Sequence, residues 1–176
     1  MITIKDTQFK EVKILKPDVY KDNRGYFYES FNNENFELFL KKIRFVQDNE
    51  SKSKFGVLRG IHFQKYPYEQ AKLIRVIKGE IQDVIVDLRD DSPTYMKYIS
   101  IVISDETKEQ IFIPRGFGHA FLTLSNEAIV SYKTDNYYKK EYEQGIRYDD
   151  QKLDISWLLK RDEIIISNKD KLLPNL

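Results

Sequence analysis

Lys72-Leu73-Ile74-Arg75-Val76-Ile77-Lys78-Gly79-Glu80-Ile81-Gln82-Asp83-Val84-Ile85-Val86-Asp87-Leu88 is the stretch that decides the fold. Two β-rich runs, 72–78 and 81–88, meet at Lys78-Gly79-Glu80, a glycine-marked turn. In the first run Lys72, Ile74 and Val76 share one parity and hence one face of a strand. Working outward, similar runs rich in Val, Ile, Phe and Tyr occupy 9–15, 25–31, 57–64, 98–103, 110–113, 121–124 and 128–134. Asp90-Asp91-Ser92-Pro93 and Pro114-Arg115-Gly116 supply further turns. Many short strands at fairly regular spacing predict an all-β sandwich or barrel. A helix is expected over 33–42, where Phe36, Phe39 and Leu40 fall at helical spacing and Asn32 or Asn33 can cap it. Shorter helical pieces are expected near 149–159 and 169–173. With no repeat, linker or low-complexity tract, residues 1–176 read as one domain.

The bulk numbers narrow the function. Hydrophobic residues make up 41% of the 176 and charged residues 32%, the profile of a chain that folds around a core. The 29 basic and 28 acidic residues leave a formal charge of +1, so no global field favours nucleic acid or an anionic membrane. The apolar runs are too short to span a bilayer. The first residues show no signal-peptide core, which makes a cytoplasmic location the default expectation. With no cysteine, thiolate nucleophiles, disulfides and cysteine-ligated metals are out.

An all-β domain tends to bind ligands in a barrel mouth or between its sheets, so polar residues on inward faces are the candidates. Lys72 is one, unless it is a strand-end lysine that snorkels to solvent. The two histidines, His62 and His119, are the natural proton carriers near neutral pH. His62 sits in Leu58-Arg59-Gly60-Ile61-His62, where strict alternation sends Arg59 and His62 to opposite faces and a bulge at Gly60 would reunite them. The competing reading is a hydrogen-bonded interior histidine. His119 follows the rigid turn Ile113-Pro114-Arg115-Gly116-Phe117-Gly118. Two histidines far apart, with no His-x-His pair, are too few for a usual metal site, and no metal is expected. Neither a nucleophile elbow nor a phosphate-binding glycine fingerprint is present. The Tyr137-Tyr138-Lys139-Lys140 stretch is a solvated or ligand-facing segment rather than a nucleic-acid surface.

Taken together, the motifs resemble one known family over nearly the whole chain, the dTDP-4-dehydrorhamnose 3,5-epimerases. The resemblance runs through Asp22-Asn23-Arg24-Gly25-Tyr26-Phe27-Tyr28-Glu29-Ser30-Phe31, Phe45-Val46-Gln47-Asp48-Asn49-Glu50-Ser51 and Gly56-Val57-Leu58-Arg59-Gly60-Ile61-His62-Phe63-Gln64. It continues in Gln70-Ala71-Lys72-Leu73, Gly79-Glu80-Ile81-Gln82-Asp83-Val84, Asp87-Leu88-Arg89-Asp90-Asp91-Ser92-Pro93-Thr94-Tyr95, Ile113 to His119 and Ser167-Asn168-Lys169-Asp170. It implies a cupin-like jelly-roll barrel with a few short helices, a homodimer with exchanged N-terminal strands, no cofactor and a dTDP-4-keto-6-deoxyhexose substrate epimerised at C3 and C5. By resemblance His62 is the base, Asp170 its orienting carboxylate, Lys72 the partner of the C4 enolate and Tyr132 the acid on the opposite face. His119 matches a substrate-lining position. Arg24, Arg59 and Lys169 match positions near the diphosphate, Glu29, Gln47 and Asn49 positions near base and sugar, and Tyr138 and Glu143 the rim.

The chain departs from the family pattern at Ala71, at Tyr148 and at His119-Ala120-Phe121, where a glycine is usual in the middle. That last change is expected to add a methyl close to the site. The runner-up activity is epimerisation at C3 alone in a related keto sugar. Rivals of other classes are a metal-dependent cupin oxygenase and a catalytically silent sugar-nucleotide binder.

Overall fold

Two antiparallel sheets face one another in the computed structural model, which describes residues 2–37, 40 and 43–176. The strands are β1 (Ile2–Asp6), β2 (Lys13–Pro17), β3 (Tyr20–Asp22), β4 (Gly25–Phe27), β5 (Gln47–Lys54), β6 (Val57–Gln64), β7 (Lys72–Lys78), β8 (Glu80–Asp87), β9 (Tyr98–Ser104), β10 (Gln110–Ile113), β11 (Phe117–Thr123), β12 (Glu127–Thr134), β13 (Glu143–Gly145) and β14 (Ile165–Ile166). One sheet runs β1-β2-β10-β7-β12-β5 and the other β13-β6-β11-β8-β9, with β14 lying parallel to β6. β3 and β4 form a separate hairpin. This is the expected all-β, cupin-like jelly roll.

Alternation builds the interior. Ile74 and Val76 of β7, Ile111 and Ile113 of β10 and Ala128 and Val130 of β12 meet Ile81, Ile85, Ile99, Ile103, Phe117 and Phe121 of the opposite sheet. Burial of these branched side chains is the main stabilising term, at about 25 cal/mol per Å² of apolar surface. The opposite parities are covered too. Leu15, Leu73 and Phe112 pack under Phe36 and Leu40, while Ile61, Val84, Val86 and Ala120 pack under Ile146 and Leu153.

Several expectations are corrected. Strand 9–15 divides: Phe9 and Val12 turn inward at a bend, where Val12 N donates to Phe9 O, and pairing starts at Lys13. Strand 25–31 stops at Phe27, and 121–124 is the end of a strand that begins at Phe117. α1 spans Asn33–Glu37, and Asn32 Oδ1 caps it by accepting from Glu34 N at 3.0 Å and Asn35 N at 3.4 Å. Residues 38, 39, 41 and 42 of the expected helix, Phe39 among them, lie outside the described residues. The segment 149–159 is a chain of turns, not a helix. Its apolar residues Leu153, Ile155 and Trp157 recur every second position and cover the outer face of the second sheet, a spacing that extended backbone satisfies. α2, Asn168–Lys171, does form, close to the expected place.

Candidate active site

At one end of the gap between the sheets the apolar filling gives way to a cavity of about 510 Å³. That volume suits a small organic ligand. Its walls include Ser51, Arg59, His62, Lys72, His119, Phe121 and Tyr132, and its mouth includes Ile165, Ile166, Lys169 and Asp170.

The β6–β11 register explains how Arg59 and His62 come to share this cavity. His62 pairs with His119 and Arg59 with Phe121, so three steps along β6 match two along β11. The extra residue is the bulge expected at Gly60, and it returns both side chains to one face. Gly60 has φ +117°, and a Cβ there would lie 2.5 Å from the carbonyl oxygen of His119 and 2.6 Å from Ala120 Cβ. Only glycine fits. The same alternation corrects the expectation for Ala120: its methyl packs with Ile61, Val84 and Val86 on the face away from the cavity.

His62 Nε2 lies 2.7 Å from Asp170 Oδ1. A neutral imidazole that donates from Nε2 keeps its basic lone pair on Nδ1. Asp170 is 4% exposed, and Ser167 caps the short helix that carries it, Oγ accepting from Asp170 N at 3.0 Å. Burial alone would raise the Asp170 pKa, but the hydrogen bonds from His62 and from Gly60 N–H hold it below the usual range. Lys72 Nζ approaches His62 O at 3.5 Å. Loss of hydration in the cavity wall lowers the Lys72 pKa to about 8, against the pull of Asp83 and Glu143. Burial raises the Tyr132 phenol, which therefore stays protonated at neutral pH.

His119 Nε2 lies 2.8 Å from Asp83 Oδ2 in a buried pair. Desolvation pushes the His119 pKa down despite Asp83, so the ring is neutral and donates to the carboxylate. Sequence reasoning missed Asp83. The signal was available, because Ile81, Asp83 and Ile85 share a parity and a carboxylate on an apolar face needs a partner. Phe121, two residues beyond His119 on the same face, was also missed.

At the mouth, Lys169 Nζ contacts both Glu143 carboxylate oxygens at 2.6 Å, and Tyr138 Oη donates to Glu143 Oε2 at 2.9 Å. Tyr138 N also donates to Gln47 Oε1 at 3.3 Å, and Gln47 Nε2 to Asn49 Oδ1 at 2.9 Å. Of these residues only Lys169 lines the cavity itself; Glu143, Tyr138, Gln47 and Asn49 form a polar chain leading away from it, and Arg24 and Glu29 are not brought to it. Arg24, at the tip of the exposed β3–β4 hairpin, pairs with Asp22, and Glu29 accepts from Asn32 and Asn35. Among the described residues no group of three or more His, Asp or Glu is placed to hold a metal ion.

A jelly roll whose open end gathers a histidine–carboxylate pair, a lysine of lowered pKa and a protonated tyrosine defines a protein built for proton transfer in a shielded pocket. Over residues 6–176 the chain matches the family described as dTDP-4-dehydrorhamnose 3,5-epimerase, and it belongs to that family. It is 52% identical over 159 residues to the enzyme of that name from Methanothermobacter thermautotrophicus, covering 90% of this chain and 85% of the relative. The Bacillus anthracis dTDP-4-dehydrorhamnose 3,5-epimerase structure with TDP and PPi bound superposes with a TM-score of 0.96 at 42% identity, over 100% of both chains. A Legionella pneumophila 3,5-epimerase in complex with dTDP-4-keto-L-rhamnose gives 0.92 at 42% identity, over 100% of this chain and 99% of that one.

Proposed function

We propose that this protein epimerises C3 and C5 of a dTDP-4-keto-6-deoxyhexose on the route to dTDP-L-rhamnose, as one epimerase unit over residues 1–176. The observation that carries the assignment of roles is the His62–Asp170 pair sharing one cavity with Lys72 and Tyr132. The protons at C3 and C5 are each α to the C4 ketone, so their removal gives an enolate. His62 removes the proton, Asp170 fixes its tautomer and steadies the imidazolium, and Lys72 meets the charge that develops on O4. Tyr132 returns a proton from the other face, which inversion requires. His119, neutral and anchored to Asp83, lines the sugar site. Arg59 and Lys169 serve the diphosphate, and Tyr138, Glu143, Gln47 and Asn49 the nucleoside end.

Arg24 and Glu29 reach a substrate from a partner subunit. Tyr20 and Phe27, 64% and 71% exposed on the hairpin next to Arg24, support a homodimer with exchanged N-terminal strands. A cytoplasmic location goes with a charged nucleotide sugar that does not cross a bilayer unaided. Among the described residues no helix is long and apolar enough to span a membrane.

The test is incubation with the dTDP-linked 4-keto-6-deoxyglucose in heavy water, followed by NMR. Deuterium and inverted configuration at both C3 and C5 are expected. Inversion at C3 alone would make it a single-centre epimerase, and no exchange at all would remove the substrate class. A second expectation concerns pH. The ammonium of Lys72 is the form that stabilises an enolate, so kcat/KM, which reports the free enzyme, should fall tenfold per pH unit once pH rises well past about 8. A rate profile that stays level to about pH 9.5 would take Lys72 out of the oxyanion role.

A further inference from the structure

Beyond β12 the chain leaves the sheet, and residues 135–139 run without regular structure to a short 3-10 helix at Lys140–Tyr142. Tyr138 stands in this segment, 49% exposed, with its hydroxyl on Glu143. A segment outside any ladder has little of its own to fix a ring, so the hold has to come from side chains. Gln64 supplies it. It closes β6 two residues past His62 and is 6% exposed. Its Nε2 donates to Tyr137 O at 3.2 Å and to Tyr68 O at 2.6 Å, and its Oε1 accepts from Lys139 N at 2.6 Å. One side chain thus pins the backbone on both sides of Tyr138.

Gln64 also pairs with Glu143 in the β6–β13 register, so the same residue sets both ends of the Tyr138–Glu143 hydrogen bond. We propose that Gln64 is a positioning residue for nucleotide recognition: it touches no substrate and holds the Tyr138 ring at the nucleoside end of the site. The proposal rests on the nucleotide-sugar reading above. It also accounts for an amide buried at the end of a strand whose neighbours are apolar. A hydrocarbon of the same volume would leave the Tyr68 and Tyr137 carbonyls and the Lys139 N–H without these partners, and the segment would shift to find others.

The experiment titrates thymidine and dTDP into wild type, Gln64→Met, Tyr138→Ala and the double variant by ligand-observed NMR, with melting temperatures alongside. Each single variant is expected to weaken both ligands roughly fivefold or more. The double variant should bind no worse than Tyr138→Ala, because a residue that acts through the ring has nothing to position once the ring is gone. In Gln64→Met the KM for the nucleotide sugar should rise while kcat holds. Should Gln64→Met fail to fold, Gln64→Glu keeps the shape and the acceptor for Lys139 N, but when ionised it turns a carboxylate on two carbonyls. Relative to wild type, its thymidine affinity should be weak at about pH 8.5 and recover at about pH 5.5, where protonation restores a donor. Normal thymidine affinity in Gln64→Met, a loss that adds to that of Tyr138→Ala, or a Gln64→Glu defect that ignores pH would overturn the positioning role while leaving the nucleotide reading intact. Normal binding by Tyr138→Ala would overturn it by taking the ring away from the nucleoside. A wild-type protein that binds neither compound would remove the nucleotide reading itself, and this proposal with it.

Discussion

Replacing His62 with alanine is expected to stop solvent exchange at both C3 and C5 and to lower turnover by about 10²- to 10⁴-fold, the range of a positioned general base. One imidazole is assigned to both abstractions, so the two centres should fail together. Binding of dTDP should change little, because the diphosphate is assigned to Arg59 and Lys169. The substitution strips Asp170, 4% exposed, of its imidazole partner, so melting temperature has to be read alongside rate. The carboxylate keeps the Gly60 N–H, which limits that penalty. Deuterium incorporation followed by NMR is the deciding measurement. Normal exchange in the variant would transfer the base role elsewhere, and exchange lost at one carbon alone would require two bases.

Tyr132→Phe should instead separate abstraction from inversion. His62 can return a proton to the face from which it came, so exchange can persist while inverted product falls by about 10²-fold or more. The ring stays, and its packing against the Ile74 and Val130 cluster stays with it, so the lost hydroxyl dominates. The phenol is held protonated by burial, the state an acid must start from. Product configuration and deuterium content at each centre, measured on the same sample, distinguish the two steps. Inversion at the normal rate would make water or another side chain the acid.

Sequence patterning reached most of the strands that have an apolar face, though not β1 with its Ile2 and Ile4, and lost β5, which has none. β6, β7 and β10 lie where Val, Ile and Phe recur, and their ends match the runs 57–64, 72–78 and 110–113. β5, Gln-Asp-Asn-Glu-Ser-Lys-Ser-Lys, has no apolar residue at all, because one face meets solvent and the other the polar site. Periodicity is blind to such a strand. The 149–159 turns are a different case: Leu153, Ile155 and Trp157 alternate, the pattern of extended backbone that covers a sheet rather than of a helix. At the site, the parity of Lys72 with Ile74 and Val76 and the bulge at Gly60 were legible from local sequence. Asp170 was not: it lies 108 residues from His62, and only the family resemblance joined them. Asp83 stood in plain alternation and needed only the question of what it hydrogen-bonds.

Four residues near the C-terminus tie together two properties that are usually tuned apart. Ser167 caps a helix of a single turn in which Lys169 faces the mouth and Asp170 holds His62. With the roles proposed above, a change within this turn alters nucleotide affinity and basicity at the sugar together. A substitution that reshapes this turn to admit another nucleotide also tilts the imidazole, and a change made for rate alters the grip. Any lineage or designer seeking a new nucleotide specificity on this scaffold has reason to leave the turn alone and work on the opposite wall, along β5.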